Sequence, residues 1–287
     1  MLPADDHVHS EWSWDAVAGD MDATCARAVE VGLPAVSFTE HVDLGRWVVP
    51  PELLAHAGRE PRIGIIDDMA SWADEDGTLV PPALDVDGYV ACIERCRDRH
   101  PGLRIRAGAE VGEPHLFVDE VRRLATRGGF DVVLGSQHTV PFEGRAWPVD
   151  SLFGRVDPHE LIRTYLAEVL QLVEGSDDFA VLAHIDYPLR RWPVDAGPFD
   201  PAGFEDELRT VLRALARSGR ALELNTRVPL VPAVVGWWRE EGGPALTFGS
   251  DAHSPDKVGQ GLAEASAVAE AAGFAPGPTP VDPWRRA

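Results

Sequence analysis

The sequence predicts an α/β protein built as a (β/α)7 barrel, with its active site at the carboxyl ends of the strands. Seven short apolar segments alternate with segments of helical periodicity along the 287 residues, which is typical of parallel α/β proteins. Six clusters of histidine or acidic residues follow these apolar segments, between residues 7 and 253. A closed barrel brings such distant strand ends to one face, whereas an open sheet holds them apart. We therefore favour the barrel over a doubly wound sheet.

The predicted strands are short, apolar and bounded by turn residues, and they cover residues 2–6, 35–39, 103–108, 131–135, 179–183, 221–224 and 245–248. Apolar residues recur at helical spacing between the strands, for example over 161–173 and 204–215. Glycines follow several of the helical segments, including Gly32, Gly175 and Gly219. Glycine accepts the left-handed conformation that ends many helices, so these positions predict helix ends.

Two segments depart from this alternation within what we predict to be a single domain over residues 1–287. Residues 43–87 are acidic and proline-rich, and they include Trp47 and Trp72. A segment of that length in a compact domain is often a lid or a substrate-binding loop, so we expect a loop insertion here. Residues 274–287 are also proline-rich, and we expect this tail to pack loosely against the domain.

Composition and charge disfavour several classes of function. The chain carries 26 Lys and Arg against 47 Asp and Glu, a formal net charge of −21. Nucleic acid is disfavoured as a partner, because phosphate backbones bind cationic surfaces. No run of about 18 apolar residues predicts a membrane span, and the first residues do not resemble a signal peptide. Cys25, Cys92 and Cys96 are predicted to be small buried residues rather than a disulfide framework, so we expect a cytoplasmic protein.

Imidazole and carboxylate groups, the ligands of hydrolytic metal centres, are concentrated at the predicted strand ends. His7 and His9 are two apart on an extended segment, so their side chains point the same way and suit one ion. Asp6 lies beside them and is a candidate to orient an imidazole. The other candidates at strand ends are His41, Glu110, His138, His184, Asp251 and His253. From its position alone, Asp15 is predicted to lie at a helix N-terminus.

The alternative interpretation is that these histidines are ordinary core residues. A single buried histidine is more often hydrogen-bonded within the core than bound to a metal. That interpretation would have to hold separately for six histidines that all lie at strand ends. We therefore favour a metal centre.

The motifs together resemble the PHP (polymerase and histidinol phosphatase) superfamily, over nearly the whole chain from about Asp5 to Phe274. The resemblance is carried by Asp6-His7-Val8-His9, Thr39-Glu40-His41, Gly108-Ala109-Glu110, Gly135-Ser136-Gln137-His138, His184-Ile185-Asp186, Leu222-Glu223-Leu224-Asn225-Thr226 and Gly249-Ser250-Asp251-Ala252-His253. Within the superfamily, the chain is most similar to the monofunctional histidinol-phosphatases. The resemblance implies a distorted (β/α)7 barrel that holds three divalent ions, of zinc, manganese or iron.

Carried over by position, the resemblance implies three groups of ligands. The first ion would be held by His7, His9, Glu110 and Asp251. The second would be held by Glu110, His138 and His184, and the third by Asp15, His41 and His253. Glu110 would bridge two ions, and Asp15 gains a role that its position alone did not indicate.

The resemblance also implies hydrolysis of a small phosphorylated metabolite, most specifically of histidinol phosphate in histidine biosynthesis. A metal-activated water would attack phosphorus, and Asp251 or His253 would protonate the leaving alcohol. Arginine suits phosphate oxygens, so Arg190, Arg191 and Arg227 are candidate phosphate ligands, with pairing to surface acids as the alternative. His115 is a further candidate for the substrate pocket.

The cationic groups of histidinol need acidic, polar or aromatic partners, and the candidates are Glu113, Glu223, Asn225, Trp72 and the acidic stretch 67–76. Three alternatives stay open: a PHP phosphoesterase for a nucleotide or sugar phosphate, a non-catalytic PHP module, and an amidohydrolase-like metal enzyme. Every implied ligand position holds a chemically competent residue, which disfavours the second. The only lysine, Lys257, lies too late in the sequence to be the bridging lysine of amidohydrolases.

Overall fold

The computed structural model describes residues 2–59, 64–228 and 230–287. The strands of the described part are β1 (Asp5–Val8), β2 (Ala35–Val42), β3 (Trp47–Val48), β4 (Thr78–Leu79), β5 (Arg104–Gly112), β6 (Val132–Ser136), β7 (Thr139–Phe142), β8 (Arg145–Pro148), β9 (Val181–Leu182), β10 (Ala221–Asn225), β11 (Ala245–Gly249), β12 (Phe274–Ala275) and β13 (Trp284–Arg286). The α-helices are α1 (Met21–Val31), α2 (Pro51–Leu54), α3 (Gly64–Trp72), α4 (Val86–Arg99), α5 (Val118–Gly128), α6 (Pro158–Gly175), α7 (Glu205–Ser218), α8 (Pro232–Glu240) and α9 (Leu262–Ala271). Within the described ranges, no helix is long and apolar enough to cross a membrane.

Nine of the strands form one curled sheet in the order β1-β2-β5-β6-β9-β10-β11-β13-β12. Neighbours from β1 to β11 are parallel, and β13 and β12 add antiparallel pairs. Beyond β11, the N–H of Asp251 donates to the His7 carbonyl at 2.8 Å, and the N–H of His9 donates to the Ala252 carbonyl at 2.8 Å. The curl thus brings the carboxyl end of the first strand to that of the last parallel strand. The predicted α/β class is confirmed, with a curled sheet of nine strands.

Most of the observed parallel strands reach further toward their carboxyl ends than the sequence predicted, although β9 ends one residue earlier. Strand β2 pairs with β5 through His41 and Glu110, both of which were expected to follow their strands. These residues are therefore held by the ladder of backbone hydrogen bonds and not by flexible loops. That support fixes the direction of each side chain at the end of the sheet.

Helix α4 shows how a packed helix positions two of these strands. Its N-cap residue Asp85 accepts a hydrogen bond from the Gly88 N–H at 3.2 Å, and its buried residues recur three or four apart. The Tyr89 hydroxyl donates to the Phe38 carbonyl at 2.8 Å and accepts from the Gly108 N–H at 2.9 Å. One buried side chain therefore joins α4 to both β2 and β5.

The segment 43–87 contains short elements of its own. Strands β3 and β4 pair as an antiparallel ribbon, and helices α2 and α3 lie between them in the sequence. Trp47, Val49, Met69 and Leu79 form a small apolar cluster in this segment. Residues 60–63 of the predicted insertion lie outside the described residues. The described part is thus anchored by its own apolar contacts.

The carboxyl-terminal tail packs more closely than predicted. Strand β13 pairs with β11, and Trp284 is buried with its ring centroid 4.9 Å from that of Phe248. The backbone of β1 bonds to Asp251 and Ala252, which lie beyond the carboxyl end of β11. The edge of β11 at Ala245 and Leu246 is therefore free to pair with β13. The expectation of a loosely packed tail is wrong, because its last residues complete the sheet and bury an indole.

Candidate metal centre

The predicted ligands converge at the carboxyl ends of the parallel strands. His7, His41 and Glu110 lie within β1, β2 and β5, while His9 and Asp15 follow β1. The remaining four follow β6, β9 and β11, and they are His138, His184, Asp251 and His253. Asp15, His138 and His253 are partly exposed, and the other six are buried. Residues up to 246 positions apart in the sequence therefore meet at one place.

Glu110 lies at the middle of this cluster. Its Oε1 atom is 2.6 Å from His184 Nε2 and 3.1 Å from His138 Nε2. Its Oε2 atom is 3.1 Å from both His7 Nε2 and His41 Nδ1. One carboxylate thus faces imidazoles supplied by four strands, the arrangement that a bridging ligand requires.

The other donor atoms lie beside Glu110 in overlapping sets. His7 Nε2 is 3.1 Å from His9 Nε2, and His9 Nε2 is 3.6 Å from Asp251 Oδ1. Asp15 Oδ2 is 3.1 Å from His253 Nε2 and 3.4 Å from His41 Nε2.

Four sets of three ligand atoms lie within 4.8 Å of one another: His7-His9-Asp251, His7-Glu110-His184, His41-Glu110-His138 and His9-His41-His253. His7, His9 and Asp251 share a set, as the resemblance implied. His9 and His41 each contribute to more than one set, so the donors do not separate into three exclusive groups.

The donor atoms fit divalent cations better than they fit one another. Two imidazole nitrogens 3.1 Å apart, such as those of His7 and His9, repel unless one carries a proton. Asp15 Oδ1 is buried without a hydrogen-bond partner among the described residues, and His41 Nδ1, although 3.1 Å from Glu110 Oε2, is not in hydrogen-bonding geometry with it. Such orphaned polar atoms are uncommon in native interiors and call for an ion or a water. Imidazole nitrogen with carboxylate oxygen suits zinc, manganese or iron, so the residues fit a divalent metal.

The electrostatics of the cluster favour the metal-binding protonation states of two central ligands. Burial raises the pKa of Glu110, but His7, His41 and His138 outweigh burial and hold that pKa well below its usual value. Burial, with His41 and His253, holds the pKa of His9 well below its usual value. Glu110 is therefore ionised and His9 neutral, as metal binding requires.

His7 behaves differently from His9. Burial lowers its pKa, but Glu223 and Glu110 outweigh burial and raise the pKa well above the usual value. A proton must therefore leave His7 when a cation binds, so metal affinity should fall in acid.

Three of the imidazoles have orienting partners that the sequence analysis missed. Glu223 Oε1 is 2.7 Å from His7 Nδ1, and Asp43 Oδ1 is 3.1 Å from His138 Nδ1. The Ser13 hydroxyl is 3.0 Å from His9 Nδ1 and donates to Glu40 at 2.6 Å. Asp43 was detectable, because it lies two residues after His41 on an extended segment and so faces the same side.

Two acidic residues have other roles than those predicted from position. Asp6 accepts a hydrogen bond from the Ser37 hydroxyl at 2.9 Å, and no imidazole contacts it among the described residues. Strand side chains alternate, so Asp6 points away from His7 and cannot orient it. The helix-terminal interpretation of Asp15 is also wrong, since Asp20 is the N-cap of α1.

A cavity of about 420 Å³ opens beside the cluster, and all three candidate arginines line it. Arg190 donates to Asp251, and its guanidinium carbon lies 4.4 Å from the ring centroid of Tyr187. Arg227 Nη1 is 3.0 Å from Asp251 Oδ1 and 3.0 Å from His253 Nδ1. Arg191 lies at the rim with its side chain 72% exposed. Arg190 and Arg227 therefore reach the metal centre, and Arg191 does not.

His115 is not among the residues that line this cavity. Glu113 has a φ of 47°, and Pro114 then begins a 3-10 turn that carries His115 toward the end of α6. There the His115 side chain packs against Gly175. The prediction of a pocket role for His115 is wrong, because this turn directs it to another surface.

The acidic partners predicted for a cationic substrate are engaged elsewhere. Glu113 accepts from the N–H groups of His138 and Thr139, both at 2.8 Å, and Glu223 contacts His7 as described. In the stretch 67–76, Asp74 pairs with Arg46. Neither the acidic residues of this stretch nor Trp72 line the cavity, and Met69 is the one described residue of the stretch that does. Other residues of the segment 43–87 do line it, namely Asp43, Trp47, Pro50, Glu52 and Leu53.

Comparisons with known proteins agree with this geometry. The PHP domain family matches residues 5–227, a range that ends before Asp251 and His253. The histidinol-phosphatase of Lactococcus lactis is 26% identical over 183 residues, which cover 60% of this chain and 66%, just under two thirds, of that protein. A protein named "Probable histidinol-phosphatase" from Thermotoga maritima is 24% identical over 267 residues, covering 91% of this chain and 88% of that protein.

A solved structure has the same fold as this chain. It is the histidinol phosphate phosphatase of Lactococcus lactis complexed with zinc, L-histidinol and phosphate. It matches with a TM-score of 0.76 at 22% identity, covering 96% of this chain and 95% of that chain. At this identity the likeness establishes the fold alone.

Proposed function

The chain belongs to the PHP domain family, and we propose that it is a metal-dependent phosphatase that hydrolyses L-histidinol phosphate to L-histidinol and phosphate. The convergence of imidazoles on Glu110, with two arginines on the adjacent Asp251, carries the proposal. Cationic side chains beside a metal centre suit a phosphate group. The names of the relatives support histidinol phosphate as the specific ester.

The proposal includes three divalent ions and a barrel of seven β/α units. Support for the ions comes from eight donor residues in overlapping sets together with Asp15 beside His41 and His253, which are more than one or two four-coordinate ions would use. Support for the barrel comes from the seven parallel strands and the bridge between Val8 and Ala252. When bound, the ions would neutralise phosphoryl charge and lower the pKa of a water, so that its deprotonated form could attack phosphorus near neutral pH.

The side chains of the chain supply substrate binding and a proton. In this proposal Arg190 and Arg227 hold phosphate oxygens, and Arg191 makes a weaker contact at the rim; support comes from their positions in the lining of the cavity. Burial raises the pKa of Asp251, but Arg190, His7 and Arg227 outweigh burial and hold the pKa well below its usual value. Asp251 is therefore ionised and cannot protonate the leaving alkoxide, so we assign that proton to His253, which can donate it only while it does not hold an ion.

The test compares phosphate release from L-histidinol phosphate, glucose phosphate, glycerol phosphate and nucleoside monophosphates under identical metal loading. We expect L-histidinol phosphate to lead in kcat/KM by about a hundredfold, which corresponds to roughly 2.7 kcal/mol of discrimination. A sugar phosphate or nucleotide as the best substrate would make the chain a PHP phosphoesterase of another metabolite. The absence of hydrolysis with any ester would indicate a non-catalytic PHP module.

A further inference from the structure

One carboxylate of the cavity is left without a close partner. Six carboxylates line the cavity in the described part of the chain, and five have a contact of 3.1 Å or less: Asp15 with His253, Asp43 with Trp14, Glu52 with Arg155, Glu110 with His184, and Asp251 with Arg227. The sixth is Asp150. Its nearest described cation is the Nε of Arg191 at 3.8 Å, and the Arg191 side chain is 72% exposed. Asp150 is thus the one carboxylate of this set that is free to bind a ligand.

The position of Asp150 is fixed by the fold. It lies in a 3-10 turn (Val149–Leu152), and both Val149 and Leu152 are buried in the main core. This turn packs against a second 3-10 turn (Tyr187–Arg191), which carries Arg190. The Asp150 side chain is 33% exposed, so its carboxylate is partly shielded from water. A ligand that reached it would meet a positioned charge.

Tyr187 lies beside two of the predicted metal ligands, on the turn that packs against the turn of Asp150. Its ring centroid is 5.0 Å from that of His184 and 5.4 Å from that of His138. Burial, and then the charge of Asp150, raise the pKa of Tyr187 to about 12. Asp150, Tyr187 and Arg190 line the same cavity, so a substrate bound to Arg190 by its phosphate would share that cavity with Asp150.

We propose that Asp150 binds the ammonium group of the substrate, so that the cavity selects phosphate monoesters that carry a primary amine. The inference rests on the proposed function for the phosphate end of the substrate. Of the cavity carboxylates, Asp150 alone combines partial burial with a missing close partner, and an ammonium supplies that partner. The proposal deepens the proposed function, because L-histidinol carries such an amine beside its alcohol carbon.

The experiment measures kcat and KM of the metal-loaded protein with three esters. L-Histidinol phosphate carries both the amine and the imidazole, phenylalaninol phosphate keeps the amine, and 3-(imidazol-4-yl)propyl phosphate keeps the imidazole. The variant is Asp150→Asn. The matched control is Asp195→Asn, which removes the same charge from an exposed residue that is not among the cavity lining.

We expect Asp150→Asn to reduce the preference for both amino esters over the amine-free ester by about tenfold or more, mainly through KM, because a charged hydrogen bond is lost. Asp195→Asn should keep the wild-type preference. Calorimetric binding of L-histidinol should weaken by a similar factor in Asp150→Asn alone. An unchanged preference, or an equal loss with all three esters, would overturn the role of Asp150.

The outcomes separate this inference from the proposed function. If L-histidinol phosphate is the best substrate and Asp150→Asn keeps its preference, the function stands and the inference fails. If a different amino ester is best and Asp150→Asn abolishes its advantage, the inference stands and the proposed substrate fails. If the wild-type protein prefers amine-free esters, both fail.

Discussion

Asp251 is the residue that joins the arginines of the cavity to the candidate metal centre. Its carboxylate contacts Arg190 and Arg227 on one side and lies 3.6 Å from His9 on the other. Its φ of 52° is in the left-handed region, which costs a non-glycine residue free energy. The hydrogen bond from the Asp251 N–H to the His7 carbonyl holds this conformation at the point where the sheet curls. Function and fold closure therefore meet at one residue.

Substitutions of the neighbouring residues Arg190 and Arg191 test the site at the scale of single residues. Arg190→Ala removes a largely buried guanidinium at the metal centre, whereas Arg191→Ala removes one that is 72% exposed. We expect Arg190→Ala to lose roughly 2–4 kcal/mol of transition-state stabilisation in kcat/KM. Arg191→Ala should lose less than about threefold. Equal effects of the two substitutions on kcat/KM, measured by phosphate release, would refute the assignment.

At the scale of elements, packed helices hold the strands that carry the ligands. Tyr89 of α4 bonds to backbone groups of β2 and β5, three residues before His41 and two before Glu110. Both backbone groups are buried, so the hydroxyl satisfies polar atoms that water cannot reach. The helix is therefore a support for the site and does not contribute a ligand.

Tyr89→Phe tests this support. The substitution leaves the Gly108 N–H without its hydroxyl acceptor, and we expect unfolding to become easier by about 1–3 kcal/mol. Chemical denaturation of the metal-loaded variant and wild type measures the difference. Ser71→Ala, at an exposed hydroxyl of α3, is the control and should change the free energy of unfolding by less than about 0.5 kcal/mol. A Tyr89→Phe protein as stable as wild type would contradict the role given to the hydroxyl.

The cysteines of α1 and α4 provide a pH-dependent prediction. Burial raises the pKa of Cys25 well above its usual range and raises the pKa of Cys96 to about 11. The thiolate is the reactive form, so at pH 8 only about a thousandth of Cys96 is reactive. Both thiols should resist iodoacetamide in the native protein at pH 8 and react after denaturation, as measured by mass spectrometry. Rapid alkylation of either cysteine in the native protein would show that the packing between α1 and α4 opens to solvent.

The sequence predicted the elements well and the contacts between loops poorly. His7, His9 and Glu110 were found because period-two spacing and strand ends are visible in the sequence. Glu223 and Asp150 were not assigned their places, because what a carboxylate contacts depends on strands and loops that are distant in sequence. The tail was misjudged for the same reason: the free edge of β11 exists only in the folded sheet.

At the scale of the whole molecule, the negative charge of the chain and of its cavity opposes the binding of a phosphate ester unless cations are bound. The net charge is −21, and six carboxylates line the cavity in the described residues, which is unfavourable for a phosphate ester. Divalent ions held by the cluster would reverse the local sign. Substrate binding should therefore depend on metal loading more strongly than folding does.

Metal stoichiometry measured together with activity tests the central claim most directly. The protein is stripped with chelator, titrated with zinc or manganese, and assayed at each step for bound ions and for phosphate release from L-histidinol phosphate. We predict that activity appears as the content approaches about three ions per chain, and that Glu110→Gln, which keeps the shape without the charge, binds at least one ion fewer and is inactive. Full activity in the metal-free protein, or in Glu110→Gln, would contradict the account.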